Sequence, residues 1–148
     1  MAKQICDSLT VPVDAEAITT ACLLHDMANI LKFNLASPLL NYLKPRDKDR
    51  LAEIKEEFKQ KYGVDEHRAS LSIAKELGVS KAVLNCMKSI DFAKALENVI
   101  RPEIEPKICD YADLRVGPFG VVSLDERLAE GRKRYKNRPE KWIQPEQW

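Results

Sequence analysis

Apolar residues recur at steps of three and four through most of this chain, a spacing that predicts α-helices. One such stripe contains Ile18, Ala21, Cys22 and His25. Asp14 is a suitable N-terminal cap, so a helix is predicted from residue 14 to about residue 32 or 33. His25 would then lie on the inward stripe of that helix, and Asp26 would lie about 100° further round.

Further helices are predicted by the same pattern along the rest of the chain. They cover residues 1–9, 47–62, 65–77, a segment that begins at 80, and residues 91–100, 107–116 and 123–135. The many charges of 47–62 are interpreted as a solvated face, and no chemistry is assigned to them. The predicted fold is therefore all-α, with one compact helical domain of about six or seven helices. This domain covers residues 1–135, and a basic and aromatic tail covers residues 136–148.

The composition is typical of a soluble globular protein. The chain has 148 residues, of which 45% are hydrophobic and 32% are charged, which is enough to bury a core beneath a solvated surface. A net charge of +1 argues against a general nucleic-acid binder, because such proteins carry excess basic charge. No stretch resembles a signal peptide or a membrane span, so we expect a cytoplasmic protein without a membrane partner.

The four cysteines are widely spaced along the chain, at Cys6, Cys22, Cys86 and Cys109. No pair has the Cys-x-x-Cys spacing of a zinc or redox motif. Each cysteine falls within a helical pattern, so we interpret all four as small buried hydrophobic residues with reduced thiols.

Candidate chemistry begins with His25 and Asp26, an imidazole and a carboxylate side by side among apolar residues. The simplest interpretation is a core histidine beside a solvated aspartate. A buried carboxylate, however, requires a counter-charge or hydrogen bonds, and a divalent metal shared with the imidazole would supply that charge. The pair is therefore a candidate for metal binding.

A second carboxylate of interest is Asp113. Helical spacing places it on one face with Cys109 and Ala112, whereas Asp110 shares a different face with Leu114. We therefore expect Asp113, and not Asp110, to face inward. The alternative is that Asp113 pairs structurally with an arginine, and Arg115 and Arg127 are the candidates.

These residues carry a resemblance to a known family. The sequence Leu23-Leu24-His25-Asp26-Met27, with Tyr111-Ala112-Asp113 further along, resembles the HD-domain superfamily of metal-dependent phosphohydrolases over about residues 3–135. The resemblance implies an all-helical fold in which His25, Asp26 and Asp113 hold one or two divalent metals. One departure is that no histidine precedes His25. We expect the family's first histidine to fall before Met1, so that either the start is truncated or the site is incomplete.

His67 is the only other histidine, and the resemblance makes it a candidate for a further metal ligand or a phosphate contact. The alternative is a surface histidine in the first turn of a helix. Mixed imidazole and carboxylate ligands suit Mn, Fe, Ni, Co or Zn, and Mg is a further candidate. The divalent metal's identity is left open.

The function implied by the resemblance is a metal-dependent phosphohydrolase whose substrate is a nucleotide or another small phosphate ester. Asp26 would orient the attacking water, and Lys32 or Arg115 would stabilise charge on phosphate oxygens. The alternative is a catalytically weak or inactive HD-fold protein that binds a nucleotide or a protein partner, which the absent first histidine favours. The basic residues Arg132, Lys133 and Arg134 are expected to be peripheral, and the oligomeric state is left open.

Overall fold

The computed structural model describes residues 1–91, 94–117 and 120–134. Helices dominate these ranges, which confirms the predicted all-α class. The described part contains eight α-helices, close to the six or seven expected. They are α1 (Ala2–Ser8), α2 (Ala15–Leu24), α3 (Pro45–Tyr62), α4 (Glu66–Glu76), α5 (Lys81–Ser89), α6 (Ala95–Ile100), α7 (Ile104–Leu114) and α8 (Leu124–Arg134).

Shorter elements connect these helices. Two 3₁₀ segments, at Asn29–Lys32 and Pro38–Leu40, lie between α2 and α3. After α7, strands β1 (Val116–Gly117) and β2 (Gly120–Val121) pair antiparallel, with Val116 opposite Val121. No helix in the described ranges is both long enough and apolar enough to cross a bilayer. The predicted tail over residues 136–148 lies outside the described residues.

Several helix starts follow the predicted capping chemistry. Asp14, Asp65 and Ser80 each accept a hydrogen bond from the backbone N–H three residues later. Before α8, the Ser123 hydroxyl accepts from the Glu126 backbone N–H, and the Glu126 carboxylate accepts from the Ser123 backbone N–H. These bonds satisfy N–H groups that the first turn of a helix leaves without partners, so the predicted starts of these helices are confirmed.

The chain divides into two compact contact units. Unit one comprises Met1–Leu23 and the described part of Ser80–Trp148, and unit two comprises Leu24–Val79. In unit one, α7 packs against α1, α5 and α6. Buried hydrophobic residues of unit one include Ile18, Ala21, Val83, Cys86, Met87, Ile108, Cys109, Ala112 and Leu114. Helix α7 is therefore the central element of unit one.

Unit two is built from α3, α4 and the 3₁₀ segment Asn29–Lys32, which pack against one another. Its core consists of Ala28, Leu31 and Ala69, surrounded by Ile30, Phe58, Tyr62 and Ile73. The predicted stops are present: Gly63 and Gly78 have φ values of 84° and 74°, a region where glycine is favoured.

The helix predicted from residue 14 to about 32 or 33 is wrong in its second half. Helix α2 ends at Leu24, a turn covers residues 25–28, and the chain continues as the 3₁₀ segment. The buried hydroxyl of Ser70 in α4 accepts a 3.1 Å hydrogen bond from the Ala28 backbone N–H, which a continued α-helix would need for its own ladder. Packing of Ala28 on α4 thus overrides the local helical pattern, and His25 lies in a turn.

The bounds of two later helices also differ from the prediction. Helix α6 begins at Ala95, four residues after the expected start at 91. Helix α7 begins at Ile104 and includes Pro106, although this proline was expected in a loop. Pro106 lies in the first turn, where a missing N–H costs no intrahelical hydrogen bond, so the proline is compatible with the helix.

Candidate functional site

His25 and Asp26 are in contact in the turn that follows α2. The distance from His25 Nε2 to Asp26 Oδ2 is 3.4 Å. The His25 side chain is 17% exposed and that of Asp26 is 52% exposed. One member of the pair is therefore largely enclosed, while the carboxylate remains accessible to a ligand from solvent.

Hydrogen bonds of Ala28 and Asn29 hold the turn that contains this pair. Ala28 is fully buried and donates its backbone N–H to Ser70, while Asn29 donates its backbone N–H to the Asp26 carbonyl at 3.0 Å. The Asn29 side-chain oxygen is buried, and no donor from the described residues reaches it. A buried acceptor of this kind costs about 1–3 kcal/mol, which a bound donor or cation would relieve.

A divalent metal fits this turn only in part. His25 and Asp26 supply an imidazole nitrogen and a carboxylate oxygen, both suitable donor types. Among the described residues, however, no three His, Cys, Asp or Glu side chains are grouped so that they could hold a metal ion. As they stand, the described side chains do not form a complete metal site, so no chemical step is derived through a metal.

Lys32 and His67 also belong to unit two. Lys32 Nζ lies 2.8 Å from Glu66 Oε1, an ion pair that joins the end of the 3₁₀ segment to the start of α4. His67 follows in the first turn of α4, and its side chain is half-buried. Its position in the first turn of a helix is the one that the alternative interpretation expected, and its role as a ligand stays a prediction.

The expectation that Asp113, and not Asp110, faces inward is wrong. Asp110 is 3% exposed, whereas Asp113 is half-buried. Because α7 packs against three other helices, residues on more than one of its faces are buried, and a single inward face does not exist. Asp113 lies in unit one, and its role as the distant ligand stays a prediction.

Asp110 belongs to a buried polar network that the sequence analysis missed. Its Oδ2 accepts a 2.8 Å hydrogen bond from Asn98 Nδ2, which also donates to the Ser89 carbonyl at 2.8 Å. Burial raises the pKa of Asp110 to about 7, despite the opposing effect of the Asn98 hydrogen bond. In the sequence, the only indication that Asp110 is buried was its position four residues from both Pro106 and Leu114. The structure shows that all three residues are buried.

Arg115 contacts its own surroundings in unit one. Its Nε donates to the Val122 carbonyl at 2.5 Å, and its Nη1 donates to the Tyr111 hydroxyl at 2.7 Å. The guanidinium also lies over the Tyr111 ring, 5.6 Å from the centroid. These contacts connect the end of α7 to the segment after β2, and the predicted contact of Arg115 with phosphate stays a prediction.

The cysteines are free thiols, and three of them lie together in unit one. Hydrogen bonding between the Cys109 thiol and the thiols of Cys22 and Cys86, together with burial, raises the pKa of Cys109 above its ordinary value. Cys6, Cys86 and Cys109 are buried and Cys22 is half-buried, which agrees with the predicted small core residues. A buried thiol that stays protonated is a poor nucleophile, so Cys109 is not assigned a chemical role.

Unit two also contains an open pocket of about 500 Å³ beside α3. It is lined by Lys32, Phe33, Asn34, Leu35, Ala52, Lys55, Glu56 and Lys59. Four of these residues, Ala52, Lys55, Glu56 and Lys59, belong to α3. They are spaced three, one and three residues apart, which places them on one face of the helix. This face was predicted to be solvated, because only the fold brings residues 32–35 next to it.

Comparison of the chain with protein-family models, with curated proteins and with solved structures gave no match. The resemblance to the HD-domain superfamily therefore stays a prediction that rests on His25, Asp26 and Asp113.

Proposed function

We propose that this protein is a metal-dependent phosphohydrolase of the HD type that acts on a nucleotide or another small phosphate ester. The observation that carries the proposal is the contact between His25 and Asp26, 3.4 Å apart, in a turn where the carboxylate is accessible. A carboxylate beside an imidazole is suited to orient a water molecule and to accept its proton. The metal dependence itself rests on the family resemblance.

Charge in unit two supports an anionic substrate. Lys32 is half-exposed and ends the 3₁₀ segment that begins at Asn29, three residues after Asp26. Its ammonium is paired with Glu66, so in this role it would exchange one anionic partner for another. Lys32 also lines the open pocket beside α3, where its half-exposed ammonium is accessible to an anion.

A second candidate function is binding of a phosphate ester without hydrolysis. It is favoured by a specific observation: within the described ranges, no group of three potential ligands is arranged around a metal position. A protein of this kind would retain the anion-binding residues and lack turnover.

Metal titration combined with a hydrolysis screen tests the proposal. We expect the wild-type chain to bind Mn²⁺ by calorimetry and to hydrolyse members of a nucleotide panel when Mn²⁺ is added. His25→Ala and Asp26→Asn should each reduce turnover by about 10- to 100-fold, since loss of groups at or next to a metal commonly costs that much. Asp113→Asn should behave in the same way.

Asp49→Asn is the matched control, because Asp49 is exposed on α3 in the same unit. Circular dichroism should show unchanged helix content in all variants. A wild-type chain that neither binds Mn²⁺ nor hydrolyses any nucleotide would contradict the hydrolase proposal. Nucleotide binding without turnover would establish the second candidate instead.

A further inference from the structure

The open pocket beside α3, here called the lysine pocket, has walls of two kinds. One wall is the face of α3 that carries Ala52, Lys55, Glu56 and Lys59. The other is the end of the 3₁₀ segment and the residues after it, Lys32 to Leu35. Its volume of about 500 Å³ lies within the range of small-molecule sites, about 300–1,000 Å³.

The position of the second wall is fixed by a hydrogen bond across the pocket. The Lys55 ammonium donates to the backbone carbonyl of Phe33 at 2.5 Å. This bond ties the segment after the 3₁₀ helix to the middle of α3. On the same segment, the Asn34 side-chain oxygen accepts from the Ala36 backbone N–H at 3.1 Å, which holds the local turn. The pocket is therefore partly preformed.

The charges that line the pocket favour an anion. Three lysines and one glutamate line it, so its lining is positive by two charges. Lys59 lies 3.2 Å from Glu56, and Lys32 pairs with Glu66 outside the lining. Lys55 differs from both, because its bond goes to a neutral carbonyl and no carboxylate of the described residues pairs with it. An ammonium has three N–H donors, so two remain for a ligand.

The pocket also presents an apolar surface next to these charges. The Phe33 side chain is 47% exposed, and the half-buried Leu35 lies two residues further on. Ala52, the smallest of the α3 residues that line the pocket, adds a methyl group to its apolar lining. An aromatic face beside ammonium groups suits a ligand that combines an anionic group with a planar ring.

We infer that the lysine pocket binds a nucleoside monophosphate. The phosphate contacts Lys55 and Lys59, which are one helical turn apart on α3, and the base packs against Phe33. The inference goes beyond the proposed function, because neither His25 nor Asp26 lines this pocket, and it rests on that function only for the ligand class. Its test uses residues other than His25 and Asp26, so the two can fail separately.

Calorimetric titration with adenosine 5′-monophosphate, without added metal, tests the inference. Ribose 5-phosphate lacks the base and adenosine lacks the phosphate, and we expect each to bind at least about tenfold more weakly than the nucleotide. Affinity should fall as the salt concentration rises, because the charges are solvent-accessible and are screened. Equal affinity for the nucleotide and for ribose 5-phosphate would overturn the role of Phe33. Absence of nucleotide binding up to millimolar concentration would overturn the inference as a whole.

Lysine variants locate the phosphate. Lys59→Gln leaves the bond between Lys55 and Phe33 intact, and we expect it to weaken nucleotide binding by about fivefold. Lys55→Gln should weaken it at least as much, and Lys55→Arg, which keeps the charge and its donors, should recover most of the affinity. The matched control is Lys75→Gln, an exposed lysine of α4 that does not line the pocket. Unchanged affinity in both Lys55→Gln and Lys59→Gln would overturn the inference.

The His25→Ala variant separates this inference from the proposed function. We expect it to bind adenosine 5′-monophosphate as tightly as the wild-type chain, because His25 does not line the pocket. Loss of hydrolysis with retained nucleotide binding would support both the proposed function and the assignment of the nucleotide to the lysine pocket. Loss of nucleotide binding in His25→Ala, with unchanged binding in the lysine variants, would place the ligand at the turn and overturn the assignment to the lysine pocket.

Discussion

At the scale of single residues, Asp110 is the clearest case of a side chain whose environment depends on the fold. Its carboxyl is nearly fully enclosed, and its hydrogen-bond partner Asn98 is fully buried. Burial disfavours the charged form, and the nearby carboxylates of Asp113 and Asp91 add to that effect. A neutral carboxylic acid is therefore the form that the folded protein prefers below about pH 7.

The raised pKa of Asp110 makes stability dependent on pH. The unfolded chain loses this proton near the ordinary pKa of 3.8, whereas the folded protein keeps it until about pH 7. Between these values the folded state binds the extra proton, so the contribution to the free energy of unfolding falls as pH rises. Asp110→Asn removes this effect, and its amide oxygen can accept the same bond from Asn98.

We therefore expect Asp110→Asn to gain stability over the wild-type chain by about 1.4 kcal/mol per pH unit between about pH 4 and 7, and to hold that gain at higher pH. Urea unfolding at pH 5, 6, 7 and 8 measures the difference. Asp125→Asn changes an exposed residue of α8. Its free energy of unfolding should differ from that of the wild-type chain by the same amount at every pH. A constant difference between Asp110→Asn and wild type across this range would contradict the prediction.

At the scale of secondary structure, the sequence predicted helix boundaries best where the deciding contact is local. The starts at Asp14, Asp65 and Ser80 depend on a side chain and a backbone N–H only three residues apart, so the local sequence contains the whole interaction. The end of α2 at Leu24 instead involves Ser70, which lies 42 residues after Ala28. No local pattern contains that contact, and the predicted helix continued too far.

The contact between Ser70 and Ala28 gives a prediction about this turn. Ser70→Ala removes the acceptor of a buried backbone N–H, and we expect a loss of about 1–3 kcal/mol in the free energy of unfolding. Ser72→Ala is the matched control in the same helix, since its hydroxyl only donates to the Arg68 carbonyl within α4. Chemical denaturation followed by circular dichroism measures both. Equal losses in the two variants would contradict a special role for Ser70.

At the scale of the whole molecule, the all-α class was predictable because helical spacing recurs along most of residues 1–135. The contact between His25 and Asp26 did not follow from the predicted helix, where adjacent side chains lie about 100° apart, because it forms in the turn after α2. The lysine pocket was not predictable, because its walls come from segments about twenty residues apart that only the fold brings together. The prediction that Asp113, and not Asp110, faces inward was wrong because the central helix α7 has neighbours on several sides.

The distribution of charge over the molecule gives a prediction about encounter with substrate. The net charge is only +1, so long-range attraction of anions depends on local basic clusters. Arg132 and Lys133 are exposed on the last turn of α8, where the sequence analysis expected a peripheral role. Reversal of both charges should slow association with an anionic substrate and leave the reacting groups unchanged.

We expect the double variant Arg132→Glu and Lys133→Glu to raise the apparent KM by about two- to fivefold at low salt, with kcat nearly unchanged. The effect should vanish at high salt, where the screening length is about 3 Å at 1 M. Lys81→Glu, an exposed lysine at the start of α5 in the same unit, shows what reversal of a charge away from α8 does. Steady-state kinetics of nucleotide hydrolysis at two salt concentrations measure all three proteins. A collapse of kcat in the double variant would show that these residues take part in the chemistry, since steering alone changes only the rate of encounter.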